Sequence, residues 1–559
     1  MIAEETAAEE TAAGEPAHRR LSLVLALAVA ALFFLATHRY WVPADSNLDE
    51  TAYLISGKLL ARTGSPGFVP ADPYSLVGMM WVTAPAGRCY PKYPLGQTLL
   101  VAAAVKGGGL RAAFWVSPVL MTLGLLGVFL LVRDALGPFA GLLAMLAMAT
   151  SPVLLAETND PDSHGTVVCF TTWGMLLLLR WWRAGRPLHA ALAGLLLGLS
   201  AVTRYTEGLL LLPMALVALS GLADRGDRRR RLAGAAALAA GWLLPVGLQT
   251  AFNLRVFHRL TGYGATHEST AFGLDHLVRH AGLVPRQLFT LGLPLLFPLA
   301  VLGLALLALA GRERRLGLVL WAWVLPGLLL YAAYYWAVED VAYTRFFLTL
   351  LPPLALGMAW LLTRPLPGPE WLRRRVQPAL ALALVLACGA YGVREALPIL
   401  RGIHEDQTLA RDTAEAALAA APAGSVFFGP VQPLLYLQYA GDGYRLYGRN
   451  LFLPQAIERL GRRDPRAPNP LQPERARALY RLLKGRKPIG LLRLQRNLVA
   501  DALGERRRVF VIQPAGDAVG TRFASPDLDA RDSRSFALHL VSRWPGWEML
   551  EVTVVRPLG

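Results

Sequence analysis

The chain is 559 residues long, 54% hydrophobic and only 17% charged, with a net charge of +17 and a mean hydropathy of +0.39. A soluble globular enzyme carries roughly 25% charged residues, so this composition excludes one. The apolar excess comes in runs of about 17–25 residues, the length of a membrane-crossing helix, and the positive charge is spread over the ends of those runs rather than gathered into a nucleic-acid-binding face.

Residues 1–17 (MIAEETAAEETAAGEPA) are acidic, rich in alanine and have little to bury, and read as a disordered tail ending near residue 19. His18, Arg19 and Arg20 then precede the apolar run Leu21 to Ala36, a first anchor whose basic flank places the N-terminus in the cytoplasm. Further spans are expected near 112–132, 138–156, 164–182, 188–203, 207–222, 232–253, 287–310, 316–336, 345–363 and 377–397, about eleven in all. The runs 188–203 and 207–222 are short and fit a hairpin reaching part-way. Alternate loops then carry Arg133; Arg180, Arg183 and Arg186; Arg225 and Arg228 to Arg231; Arg312, Arg314 and Arg315; and Arg364 with Arg373 to Arg375. That alternation is the positive-inside pattern, and it leaves the C-terminal region outside.

The opposite loops collect carboxylates: Asp49-Glu50, then Glu157 with Asp160 and Asp162, then Glu339-Asp340. In the first of these loops, about 38–111, Asp49 to Arg62 has apolar residues at helical spacing and reads as an interfacial helix, and Tyr90 to Val105 as a second, interfacial or re-entrant. From about residue 400 polar residues and proline return. Strands are expected at Ser425 to Phe428, Tyr444 to Tyr447, Val509 to Gln513 and Met549 to Val555, with helices near 406–420, 473–484 and 493–504. This gives an extracytoplasmic α/β domain, 400–559, after a membrane domain, 20–399. Its arginine-rich stretch, Arg445 to Arg508, reads as a solvated surface or a seat for an anionic head group. Cys89, Cys169 and Cys388 can form at most one bridge and contain no CxxC pair.

Three constellations could carry chemistry. Asp49-Glu50 sits where a carboxylate either complements a helix N-terminus or removes a proton from an attacking group. Asn159-Asp160-Pro161-Asp162-Ser163-His164 presents two carboxylates and an imidazole, suited to a divalent cation or to capping the next helix. The basic and aromatic groups Lys92-Tyr93-Pro94, Arg204-Tyr205 and Tyr343-Thr344-Arg345 fall at outer span ends, as snorkelling anchors or as phosphate ligands. Arg204, between two short apolar runs, is the one placed at depth. Together they supply cations for a phosphate and a carboxylate for an acceptor on one face.

The order of segments SNLDETAYLISGKLL, KYPLGQTLLVAAA, LRAAFWVSPVLMTLGLLGVFLLVRDALG, GLLLGLSAVTRYTEGLLLLPMAL, FNLRVFHRLTGYG and YTRFFLTLLPPLALG, across roughly 20–400, resembles the integral-membrane GT-C glycosyltransferases. Within them it is most similar to the bacterial branch related to protein O-mannosyltransferases and the aminoarabinose transferase of lipid A. The resemblance implies a polytopic helical fold with an outer α/β domain in the cell (inner) membrane. It implies a polyprenyl-phosphate sugar donor and a protein, lipid or polysaccharide acceptor, with no nucleic acid. By position, Asp49 would be the general base with Glu50 assisting, and Lys92, Arg204 and Arg345 would hold the donor phosphate. Asp160, Asp162 and His164 are candidate ligands for a divalent metal ion, which relatives use variably. The usual double proline is reduced here to Tyr93-Pro94-Leu95. The rival readings are a transporter or flippase, which would place ionisable groups within several spans, and an envelope sensor whose outer domain binds polymer.

Overall fold

A computed structural model of the chain describes residues 2–45, 47–78, 80–223, 228–262, 271–311, 313–448, 478, 480–486, 488–516 and 535–555. Helix α1, Ile2–His38, is continuous.

By length and apolar composition, six helices among the described residues can cross a membrane: Arg20–His38, Leu110–Leu136, Arg228–Phe257, Arg314–Ala332, Val341–Thr363 and Leu372–Ala420. Two bent pairs, Pro138–Ala149 with Pro152–Thr158 (68°) and Leu283–Gly292 with Phe297–Leu309 (107°), bring the number to eight. The expectation of eleven exceeds this for local reasons. Pro187–Ala201 and Tyr205–Ser220 are too short for a full crossing. His164–Ala184 is helical over 21 residues, but threonines, tryptophans and Arg180 dilute its apolar character. Small residues let the helices meet closely. A Cβ on Gly303 would stand 2.0 Å from the carbonyl oxygen of Gly357, so only glycine permits that backbone approach.

The segment 38–111 contains the two expected helices, Leu48–Thr63 and Leu95–Gly108. Asn47 caps the first through its side chain, and Gly64, at φ 73°, ends it in the left-handed conformation. The two pack so tightly that a Cβ on Gly57 would lie 2.3 Å from Val101 Cγ1. A hairpin absent from the sequence reading, Trp81–Thr83 with Cys89–Pro91, lies between them.

The C-terminal sheet has five strands. Val426–Gly429 pairs in parallel with Arg445–Gly448 and Val509–Pro514, and the antiparallel hairpin Ser535–Trp544/Trp547–Val555 continues beyond Val509–Pro514. Four of these strands match the expected ones. Ser535–Trp544 and the helix Val431–Ala440 were missed. The expected helix 406–420 is the outer end of one 44-residue helix, Gln377–Ala420, that runs out of the membrane domain without a break. Pro488–Gly504 covers the expected helix 493–504. The expected helix 473–484 and much of the arginine-rich stretch lie in part outside the described residues. All three cysteines are buried, and none is in a disulfide.

Candidate active site

A cavity of about 500 Å³ opens where the segment 38–111 meets the ends of several spans. The residues lining it come from distant parts of the chain: Asp49, Lys92, Asp162, His164, Arg204 and Arg345 all face it. Glu50 and Asp160 do not. Successive helical residues are about 100° apart, so Asp49 and Glu50 cannot face the same way.

Asp49 stands in the first turn of Leu48–Thr63, its side chain 24% exposed. The Tyr93 hydroxyl donates to its Oδ1 at 3.0 Å, and Arg345 Nη2 donates to its Oδ2 at 2.6 Å. Arg345 is buried, and its Nη1 also approaches Asp162 Oδ2 at 3.8 Å. Its Nε has no hydrogen-bond partner among the described residues. Asp162 accepts from the His164 backbone N–H at 2.7 Å, the capping role that the sequence also allowed, and contacts His164 Nε2 at 3.2 Å. Arg204 Nη1 lies 2.7 and 2.8 Å from the two ring nitrogens of His164, and Nη2 donates to the Tyr331 hydroxyl at 3.3 Å. The Lys92 ammonium sits 5.0 Å from the Tyr93 ring centroid. Among the described residues the cavity wall thus carries Lys92, Arg204 and Arg345 against two carboxyl groups, a surplus of basic groups suited to an anionic substrate.

Much of the remaining wall is aromatic: Tyr53 stacks on Tyr93, and Phe346 on Tyr331, with Tyr334, Tyr335 and Trp336 beside them. Apart from Tyr93, sequence reasoning gave these residues no role. The run YAAYYW, 331–336, at a span end was the available signal.

Glu50 and Asp45, each 1% exposed, are close neighbours away from the cavity, and neither Glu50 oxygen has a hydrogen-bond partner among the described residues. Two buried carboxyls side by side, with no cation between them, disfavour ionisation of both. Burial, then the neighbouring acid Asp160, raises Glu50 well above the ordinary carboxylate range, and burial raises Asp45 to about 7. Asp160 is turned to Gln407, whose Nε2 donates to it at 3.1 Å, and burial followed by the Asp162 charge raises it to about 8. Asp162, also raised by burial but opposed by Arg345, reaches about 6. The expected assistance of Asp49 by Glu50 is therefore not supported by placement, and Glu50 reads as a structural partner of Asp45.

That reading has a pH consequence. Carboxyls whose folded pKa is raised bind more protons folded than unfolded, so their contribution is fully present below the unfolded value and is lost as pH rises through the folded one. Thermal stability of the detergent-solubilised protein should fall between pH 5 and pH 9, and less steeply in Glu50→Gln, which stays neutral. Transfer by that variant should stay within a few-fold of the wild type; a large loss with unchanged folding would restore Glu50 to the chemistry.

The metal candidates also shift. Glu157, Asp162 and His164 offer ligand atoms within 4.8 Å of one another, and Asp160 is not among them. Two guanidiniums already occupy this set, Arg345 at Asp162 and Arg204 over both nitrogens of His164. Of this set, Glu157 Oε2 lacks a hydrogen-bond partner among the described residues, and one open oxygen is far short of the roughly six that a hard divalent ion takes. As placed, these residues fit arginine rather than an ion.

A family model described as dolichyl-phosphate-mannose-protein mannosyltransferase matches residues 97–246. No curated protein matches the sequence. Among solved structures, ArnT from Cupriavidus metallidurans bound to undecaprenyl phosphate superposes with a TM-score of 0.59 at 13% identity, covering 95% of this chain and 97% of that one. The apo oligosaccharyltransferase of Archaeoglobus fulgidus gives 0.51 at 12% identity, over 89% and 70% of the two chains. The arabinofuranosyltransferase AftD from Mycobacteria gives 0.50 at 17%, over 95% of this chain and 41% of that one. These are glycosyltransferases of the GT-C superfamily, and the fold here is theirs: a multi-pass helical membrane domain followed by a small C-terminal sheet domain.

Proposed function

We propose that this protein of GT-C glycosyltransferase fold transfers a sugar from a polyprenyl-phosphate carrier to an acceptor on the extracytoplasmic face, with Asp49 as general base. The observation that carries the reading is the convergence of one partly exposed carboxylate and three cations, Lys92, Arg204 and Arg345, on a single cavity. The likeness to a structure holding undecaprenyl phosphate supports the carrier class.

In the reaction, an acceptor hydroxyl or amine attacks the anomeric carbon from the side opposite the phosphate. The acceptor–carbon bond forms as the carbon–oxygen bond to phosphate breaks. The acceptor's proton passes to Asp49, and the bonding electron pair leaves on the phosphate oxygen, where Lys92, Arg204 and Arg345 stabilise the developing charge. Tyr93 and Arg345 hold the Asp49 carboxylate in place. Arg204, held against His164 and Tyr331, is oriented before substrate arrives.

The test uses purified full-length protein, a radiolabelled polyprenyl-phosphate sugar and envelope extract as acceptor source. A covalent labelled product supports the proposal. Movement of label across sealed vesicles with no covalent product would replace it with the transporter reading. Because arginines neutralise the candidate metal ligands, transfer is expected to survive prolonged chelation. Loss of activity with chelator, restored by a divalent ion, would overturn that part.

A further inference from the structure

The helix that carries Asp49 is held from behind by the C-terminal domain. Asp49 and Lys58 are nine residues apart, about two and a half turns and roughly 14 Å along the axis, which puts them on opposite faces. Lys58 is 4% exposed. Its ammonium donates to the carbonyls of Gln438 at 3.1 Å and Tyr439 at 2.7 Å, and to that of Gly441. These carbonyls end the helix Val431–Ala440, where backbone acceptors lack intrahelical partners and the dipole favours a cation. Lys58 also pairs with Asp442 at 2.8 Å, and Arg62 pairs with the same carboxylate.

The rest of the first outer loop is fastened to the same domain. The Tyr436 hydroxyl donates to the Pro43 carbonyl at 2.8 Å and that of Tyr447 to Asp72 Oδ2 at 2.7 Å. The Leu76 N–H donates to the Leu446 carbonyl at 2.7 Å. The loop therefore has two supports. On one side the helix Leu95–Gly108 meets it through Gly57 and a 2.9 Å contact between Ser56 and Thr98. On the other side stands the C-terminal domain.

We propose that the C-terminal domain is part of the catalytic apparatus as a positioning element, and that Lys58 is the positioning residue that sets the Asp49 carboxylate against the reacting centre. Lys58 touches neither cavity nor substrate. It acts through the helix. A displacement of about 1 Å at a reacting group can cost on the order of 10²-fold in rate, whereas the donor phosphate ligands Lys92, Arg204 and Arg345 lie outside this helix and keep their places.

The inference rests on Asp49 being the base, so Asp49→Asn is measured beside it in the full-length protein. Lys58→Met keeps the apolar stem and removes the charge. It is expected to lower kcat about tenfold or more, to leave KM for the lipid-linked donor within twofold, and to speed amide exchange in residues 48–63. Lys58→Arg, which can still donate to the carbonyls, should recover most of the lost kcat. An unchanged kcat for Lys58→Met, a parallel loss in donor KM, or no recovery with Lys58→Arg would overturn the proposal. If Lys58→Met does not accumulate, Asp442→Asn removes only the exposed ion-pair partner and must still lower kcat at constant donor KM; an unchanged kcat there is equally fatal. A dead Asp49→Asn beside an unaffected Lys58→Met sinks the positioning role alone. A fully active Asp49→Asn sinks the base assignment instead.

Discussion

Asp49→Asn is expected to reduce sugar transfer by about 10²- to 10⁴-fold, the range that a positioned general base contributes, while the protein accumulates and unfolds as the wild type does. The asparagine side chain has the same shape and can still accept from Tyr93, so the helix N-terminus keeps its packing. It loses the proton acceptor and the charge facing Arg345. Those two losses separate kinetically. If Asp49 takes the acceptor's proton, kcat collapses and donor binding holds or improves, because Arg345 is released toward the phosphate. If Asp49 only restrained Arg345, donor affinity would change and the chemical step would persist. Single-turnover transfer with labelled donor, paired with equilibrium donor binding, distinguishes the two. Full activity of the variant would end the assignment.

Arg345→Ala should cost about 10²- to 10³-fold in transfer, comparable to removal of a donor that stabilises developing negative charge, and unlike Asp49→Asn it should also weaken donor binding. Arg345 touches both carboxylates of the cavity, Asp49 at 2.6 Å and Asp162 at 3.8 Å. Its removal leaves Asp162, whose side chain is 3% exposed, without its nearest counter-charge, so the thermal midpoint should also fall. Arg345→Lys restores charge but not the planar fork that reaches two partners at once, and should recover stability more than rate. Donor affinity and midpoint unchanged in Arg345→Ala would show that the guanidinium serves neither role.

Much of this was legible before any coordinates. Apolar runs mark helices because burial in a bilayer demands continuous hydrophobicity, and the helices Leu48–Thr63, Leu95–Gly108 and Leu110–Leu136 fall close to where their residues put them. Five of the six cavity residues with catalytic or cation-holding potential, Asp49, Lys92, Arg204, Arg345 and Asp162, stood out as charges at outer span ends, where an ionisable group is costly without a task. His164 came with them through its spacing from Asp162. The number of crossings was less legible. Short and bent segments such as Pro187–Ala201 and Pro138–Ala149 with Pro152–Thr158 have the composition of a span without its length or straightness.

What the amino-acid order determined alone was local: which stretches are apolar enough to be helices in a membrane, which loops carry arginine and which carry carboxylate, and that Asp49 opens a helix. Tertiary structure decided the rest. Asp49 and Glu50 are adjacent and chemically alike, and only what packs against each separates them: Tyr93 and Arg345 in a cavity for one, a buried Asp45 for the other. Asp160 and Asp162 part in the same way, toward Gln407 and toward Arg345. The chain after residue 400 read as a separate α/β domain, yet Lys58 meets carbonyls some 380 residues further along the chain. Such pairings depend on contacts between segments far apart in sequence, and no local propensity, charge count or periodicity encodes them.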